Sequence, residues 1–259
     1  MIDPTRSSQS RHDVTGPAGA SAHTPAAAVA PPARRPVAAV VRLLISGVAV
    51  VGLVLDVVLS DDLPRLLSYF TVQSNLAVAI TFAWSAHRAW TGRAPISPRI
   101  TGAVLLFISI TGLVYNFVLA NDSSGFSMTG TDEQTGLRAV SNSCLHVVAP
   151  IAVALDWLLL TSPRGFRWSF AAIWMAYPLL YFPFALVRGA LISPGADGRY
   201  PYPFLDVEQH GYAAVLENAV VFALAFYVLA LAVVVIDRFR PGPRVSENRI
   251  SPTGISPLK

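Results

Sequence analysis

Two pairs of residues carry most of the chemistry this sequence offers. Thr71 and Asn75 are four apart, and so are Asn142 and His146. That spacing is about one helical turn, so each pair forms a polar stripe on one face of a helix. Ser68, three positions before Thr71, extends the first stripe. A threonine hydroxyl is a poor nucleophile until a base takes its proton. Of the five histidines only His146 lies inside an apolar run, and a neutral imidazole suits that task near physiological pH. Asn75, Asn142 and Asn116 could orient the ring or donate to an oxyanion. Asp56 or Glu217 could hold the histidine tautomer, as an acid does in a hydrolase triad. Arg188 adds a cation to the same set.

None of this chemistry requires a cofactor or a metal. Cys144 is the single cysteine, which excludes an internal disulfide, and no CxxC or other metal-ligand spacing occurs. Each residue also has a structural reading. A threonine in a membrane helix commonly bonds its own backbone carbonyl one turn back or packs on a neighbour. Asn75 reads equally as a hydrogen bond between helices, and His146 as a buried structural one. Asp156-Trp157 fits an interface anchor or an interhelical pair. Pro150, Pro178 and Pro183 fit kinks that widen a bundle.

Elements to position these groups follow from composition. Of the 259 residues 53% are hydrophobic and 13% charged, against about 25% charged in soluble domains. Mean hydropathy is +0.52. The charges cluster between apolar runs of about twenty residues, the pattern of a polytopic helical membrane protein. The expected fold is all-α, with six transmembrane helices over about 37–59, 66–90, 100–120, 137–161, 168–188 and 211–236. Residues 1–36 read as a disordered tail rich in Ala, Pro and Ser, and 237–259 as a short basic tail. The first span is too long for a cleavable signal, and no small-residue cleavage site precedes Asp61-Asp62.

The net charge of +4 comes from arginines beside apolar runs, which fits topology rather than nucleic-acid binding. Arginines gather in the N-terminal tail, the second and fourth loops and the C-terminal tail. The first and third loops carry acidic residues, Asp61, Asp62, Asp122, Asp132 and Glu133. The positive-inside rule then places both termini in the cytoplasm of a multi-pass cell-membrane protein. Residues Asp56, Thr71, Asn75, Asn116, Asn142, His146, Arg188 and Glu217 fall in the outer half, and Asp156 in the inner half. Ionisable groups within spans normally face a bundle interior or a wet cavity. The expectation is a polar pocket in the outer half of the bundle.

Four segments in order, "YFTVQSN", "NSCLHVVAPIAVALDW", "WMAYPLLYFPFALVRG" and "YPYPFLDVEQHGY", resemble the Pr6Pr family of bacterial six-span proteins. That family is more distantly similar to the eukaryotic androgen-induced/FAR-17a-like membrane proteins. The resemblance covers about residues 37–236. It implies an intramembrane lipid-ester hydrolase with a threonine nucleophile, matching Thr71, and a histidine partner shortly before a proline, matching His146 and Pro150. The implied partner is a membrane lipid or acyl ester. Gln73 and Ser74 stand where the eukaryotic proteins are more apolar. The alternative is a non-enzymatic transporter or small-molecule binding protein, with Asp56, Arg188 and Glu217 lining an outward-facing pocket. Spacing leaves open whether Thr71 and His146 meet.

Overall fold

The computed structural model describes residues 33–128 and 136–241. The expected tail character of 1–32 and 242–259, and the loop acids Asp132 and Glu133, lie outside the described residues. Those residues fold entirely into helices and connections, without a strand. Helix α1 spans Pro36–Leu59, a short α2 Leu63–Ser68, α3 Phe70–Trp90 and α4 Pro98–Val114. A π-helical turn, Tyr115–Leu119, ends α4. Helix α5 (Gly136–Ser143) passes through a second π turn, Cys144–Val148, into α6 (Ala149–Leu160). Helix α7 (Trp168–Trp174) and α8 (Ala176–Leu191) meet at Met175, and α9 runs Val207–Phe239.

Five of these stretches are long and apolar enough to cross a membrane: α1, α4 with its π turn, α5 through α6, α7 with α8, and α9. Their surfaces agree. Val220, Val221, Leu224 and Val228 on α9 are all exposed, as are Leu43, Leu44, Val54 and Val58 on α1. Water would penalise such apolar faces and hydrocarbon does not. The expected second span is the exception. It is cut at Tyr69, whose extended backbone (φ −71°, ψ 135°) separates α2 from α3. Helix α3 is also the most polar of the long helices, because it faces its neighbours instead of lipid. Phe70, Thr71, Ser74, Asn75, Val78 and Thr81 are among its many buried residues.

Helix α3 lies antiparallel against α1, the most extensive helix pair in the fold. Arg35 N–H reaches Ala89 O at 2.9 Å, and Ser46 Oγ donates to Ala79 O at 2.8 Å. The sum of paired residue numbers stays nearly constant, as antiparallel packing requires. Proline breaks explain the bends. Pro178 cannot supply the amide that Trp174 O would accept, and the chain bends at Met175 just before it. Gly211, at φ 75°, kinks α9 after its Asp206-capped first turn, a backbone conformation that glycine adopts without strain.

Two buried ion pairs tie the bundle at the end where α1 begins and α9 finishes. Arg42 on α1 grips Asp156 on α6 through Nε–Oδ1 at 2.9 Å and Nη2–Oδ2 at 3.3 Å. Thr161 Oγ1 donates to the same carboxylate at 3.2 Å. Asp156 is thus an interhelical partner. Asp237 on α9 accepts from Trp157 Nε1, Phe166 N–H and Arg240, and Arg240 also donates to carbonyls at the end of α6. Removing one member of a buried pair strands the other, at about 3–5 kcal/mol. Arg42→Met is therefore expected to lower the thermal unfolding midpoint of the detergent-solubilised protein sharply. Arg42→Met with Asp156→Leu should recover most of the loss. A single variant as stable as wild type would show that the pair holds nothing.

Candidate active site around Thr71 and His146

The break at Tyr69 sets the position of Thr71. In an unbroken helix the amides of Thr71 and Val72 would bond to the carbonyls of Leu67 and Ser68. Here side chains serve three of the groups left over. Gln73 Nε2 donates to Leu67 O at 3.0 Å, and Tyr181 Oη on α8 donates to Ser68 O at 2.9 Å. Thr71 N–H donates to Tyr202 Oη at 3.4 Å. Gln73 is itself held by Tyr177, whose hydroxyl donates to Gln73 Oε1. Thr71 consequently occupies the first turn of α3. The amides of that turn lack partners within the helix, and its macrodipole is positive there.

His146 comes from the second π turn. Pro150 removes the amide that would bond His146 O, and Asn116 Nδ2 donates to that carbonyl instead, at 3.2 Å. π turns are rare and frequently sit at functional sites. The turn packs closely on α1 and α4. A Cβ on Gly52 would sit 2.6 Å from Leu145 Cδ2, and one on Gly112 2.9 Å from Pro150 Cβ. Glycine at both places lets the backbones approach. Tyr115, opening the other π turn, stacks on the imidazole with ring centroids 3.9 Å apart and 25° between planes.

The two predicted residues meet. Thr71 Oγ1 lies 3.2 Å from His146 Nε2. The other ring nitrogen, Nδ1, lies 3.1 Å from the Asn142 carbonyl oxygen. A carbonyl only accepts, so Nδ1 carries the proton. In the neutral ring Nε2 then holds a lone pair, and the Thr71 hydroxyl donates to it. Neighbouring polar groups behave differently: Ser109 Oγ, Thr111 Oγ1 and Asn116 Nδ2 each bond a carbonyl one turn back, and Ser74 Oγ bonds Thr71 O. Thr71 is relieved of that local bond, since Gln73 occupies the Leu67 carbonyl.

The remaining expected site residues take other places. Asn75 Nδ2 donates to Thr71 O at 3.0 Å and Leu145 O at 3.2 Å, joining the two stripes through backbone. Asn142 Nδ2 donates to Tyr115 Oη. With Asn116 on Gly112 O and His146 O, Asn75 and Asn116 have both amide hydrogens committed and Asn142 has one. Asp56 accepts from Ser141, and Glu217 is exposed. The tautomer is fixed by a backbone carbonyl rather than by either acid. Arg188 donates through Nη1 to the carbonyls of Gly198 and Arg199, strapping the loop that carries Tyr202.

A cavity of about 130 Å³ opens beside Thr71 between α3, α4, α8 and α9. Its wall includes Tyr115, Tyr202, Phe182, Phe204, Phe222 and Phe226, and Thr71 and Thr111 supply the only non-aromatic hydroxyls. The expected polar pocket is therefore an apolar cavity with a polar edge at Thr71, because most polar groups are spent on backbone. Exposed Leu179 also lines it, so the space reaches the lipid-facing surface of α8. Among the described residues no group of acidic, histidine or cysteine side chains could hold a metal. Comparisons with family models, curated proteins and solved structures return no match.

Sequence reading passed over Tyr115, Tyr181 and Tyr202 as site residues. The repeated tyrosines of "YPYPFLDVEQHGY" were the available signal for Tyr202, a polar-tipped aromatic in a loop returning to the bundle. The tautomer gives a direct test. Nitrogen NMR of labelled protein, with His146 assigned from a His146→Gln variant, is expected to show a protonated Nδ1 and an unprotonated Nε2. Thr71→Val should move the Nε2 resonance and leave Nδ1 nearly in place. A ring protonated on Nε2 instead would reverse the hydrogen bond and deprive Thr71 of its base.

Proposed function

We propose that this chain is an intramembrane hydrolase of lipid esters, with Thr71 as nucleophile and His146 as general base. The observation that carries the reading is the relay Thr71 Oγ1–His146 Nε2, 3.2 Å, and His146 Nδ1–Asn142 O, 3.1 Å, at the edge of an apolar cavity. Nucleophile, base and orienting acceptor stand in the order that acyl transfer uses. Thr71 Oγ attacks the ester carbonyl carbon as its proton passes to Nε2. The carbonyl electron pair moves onto oxygen, then returns and expels the alcohol, which takes the proton from Nε2. Water repeats the sequence on the acyl-threonine, giving its proton to Nε2 and its oxygen to the released acid. Thr71 recovers the proton.

The cavity supports a lipid substrate. It is close in size to an apolar cavity of about 150 Å³ that holds benzene, so it suits a segment of an acyl chain. The remainder of the molecule extends past Leu179 into the bilayer. In this reading α3 crosses the membrane with the five more apolar stretches, which gives six spans and places both termini on the arginine-rich, cytoplasmic side. The resemblance to the Pr6Pr family rests on the four motifs, which imply Thr71 as nucleophile and His146, shortly before Pro150, as its partner. The solute-pathway alternative has weaker support, since Asp56, Asp156 and Arg188 are each engaged within the protein.

A fluorophosphonate with a long alkyl tail tests the proposal. The purified wild-type protein is expected to be labelled on Thr71, His146→Ala to be labelled at least about a hundredfold more slowly, and Thr71→Ala not at all. Absence of labelling in the wild type, or equal labelling of all three proteins, would remove the hydrolase reading.

A further inference from the structure

The hydrolase reading needs a donor for the oxygen that becomes charged during attack. Such donors contribute heavily where water is excluded. Asn75 and Asn116 cannot serve without giving up bonds they already make, since each bridges two carbonyls, and Asn142, bound to Tyr115 through one amide hydrogen, is not part of the cavity wall. Two cavity-lining phenol hydroxyls donate to no backbone carbonyl, and that of Tyr202 also lies within hydrogen-bond reach of the Thr71 and Tyr181 hydroxyls. Tyr202 Oη accepts from Thr71 N–H, and Tyr115 Oη accepts from Asn142 Nδ2.

Position separates the two tyrosines. Tyr202 Oη touches the backbone of the nucleophile itself, 3.4 Å from Thr71 N, which puts it within a few ångströms of a carbon bonded to Thr71 Oγ. Tyr115 lies flat on the imidazole, and its hydroxyl is bound to Asn142, one turn before His146 in the helix. Tyr202 is also rigidly carried. Its ring is buried, stacks on Phe204 and meets Tyr69 edge-on. The loop behind it is fixed by Arg188 on the Gly198 and Arg199 carbonyls, by Arg199 on Gly189 O, and by the Arg199–Glu208 ion pair.

We propose that Tyr202 is a catalytic residue: its hydroxyl donates to the carbonyl oxygen of a bound ester, next to the positive end of α3, and holds the oxyanion formed when Thr71 attacks. The proton stays on Tyr202 throughout, so the step adds no reactant to the hydrolysis already written. Burial pushes the phenol up to about 12, which keeps it a donor through neutral and mildly alkaline conditions. Arg188 becomes a positioning residue for this donor. This inference rests on the hydrolase reading.

The test uses the full chain in detergent with p-nitrophenyl octanoate. Turnover by wild type and not by Thr71→Ala establishes the underlying reading separately. Given that, Tyr202→Phe is expected to lose about a hundredfold in kcat with little change in KM. Tyr115→Phe is measured beside it, and Tyr212→Phe, on an exposed face of α9, should keep wild-type kcat. Tyr202→Phe also strands an amide, so a second variant carries 3,5-difluorotyrosine at position 202, with the hydroxyl intact and more acidic. Its kcat should match wild type at neutral pH and fall earlier than wild type as pH rises, because an ionised phenol cannot donate. Wild-type kcat in Tyr202→Phe, a loss in Tyr115→Phe alone, or an unshifted alkaline limb in the fluorinated variant would each overturn the assignment. Wild-type protein that turns over no ester would overturn the hydrolase reading and this one together.

Discussion

In a bundle surrounded by hydrocarbon, a backbone group without a partner costs several kcal/mol, and the interruption at Tyr69 deprives several of their helical partners. The Leu67 and Ser68 carbonyls and the Thr71 amide lose the partners an unbroken helix would give them. Their replacements come from Gln73, from Tyr181 on α8 and from Tyr202 in the following loop. The second half of the chain thus completes a helix in the first half. Helix α8 and the loop after it must dock here or the break is not tolerated. The same requirement accounts for the polar density of "LLSYFTVQSNLA". Gln73 caps the break, Ser74 bonds Thr111 at 2.7 Å, and Asn75 ties α3 to the π turn. Thr71 alone of this group turns its side chain to a group able to take a proton.

The π turns do for His146 what the break does for Thr71. A fifth residue in the turn alters the face on which later side chains emerge, and Pro150 leaves the His146 carbonyl to Asn116. Glycines at 52 and 112 then let α1 and α4 close on this segment. The imidazole is held on both faces of its function: Asn142 O fixes Nδ1, Tyr115 covers the ring, and Nε2 is left for Thr71. Both irregularities occur at the same end of the bundle. Each frees backbone groups that side chains from other helices must meet, which makes the site a product of tertiary packing rather than of either helix alone.

That origin explains what could be read from the sequence. Apolar runs and arginine clusters locate the long helices to within a few residues, since hydrocarbon and charge act on composition. The stripe Asn142–His146 survives because Nδ1 bonds the carbonyl four residues back. The cut at Tyr69 leaves no trace in periodicity, as Tyr69 and Phe70 suit a helix as well as a break. Arg42 on an apolar run gave no sign that it faces Asp156, 114 positions away. The polar pocket failed for a related reason. Counting polar residues by depth does not say which are already satisfied, and here Asn75 and Asn116 spend both donors on carbonyls and Asn142 gives one to a phenol.

Charge is distributed along the bundle in a way that bears on the ligand. Arg42–Asp156 and Arg240–Asp237 bind the helices at the end where the chain enters and leaves, while the relay, Tyr115 and Tyr202 are formally neutral. The cations beside Tyr202 in sequence are already engaged, Arg199 by the Gly189 carbonyl and Glu208, and Arg188 by two carbonyls. A phosphate or carboxylate moved into this cavity would surrender its water and find no cation in return, a cost that a neutral ester avoids. Charge appears in an ester only as the carbonyl is attacked, when the dipoles of the α3 terminus and a phenol hydroxyl already in place can meet it. An apolar cavity that runs up to an activated hydroxyl therefore favours a substrate that arrives uncharged and becomes charged only in the transition state.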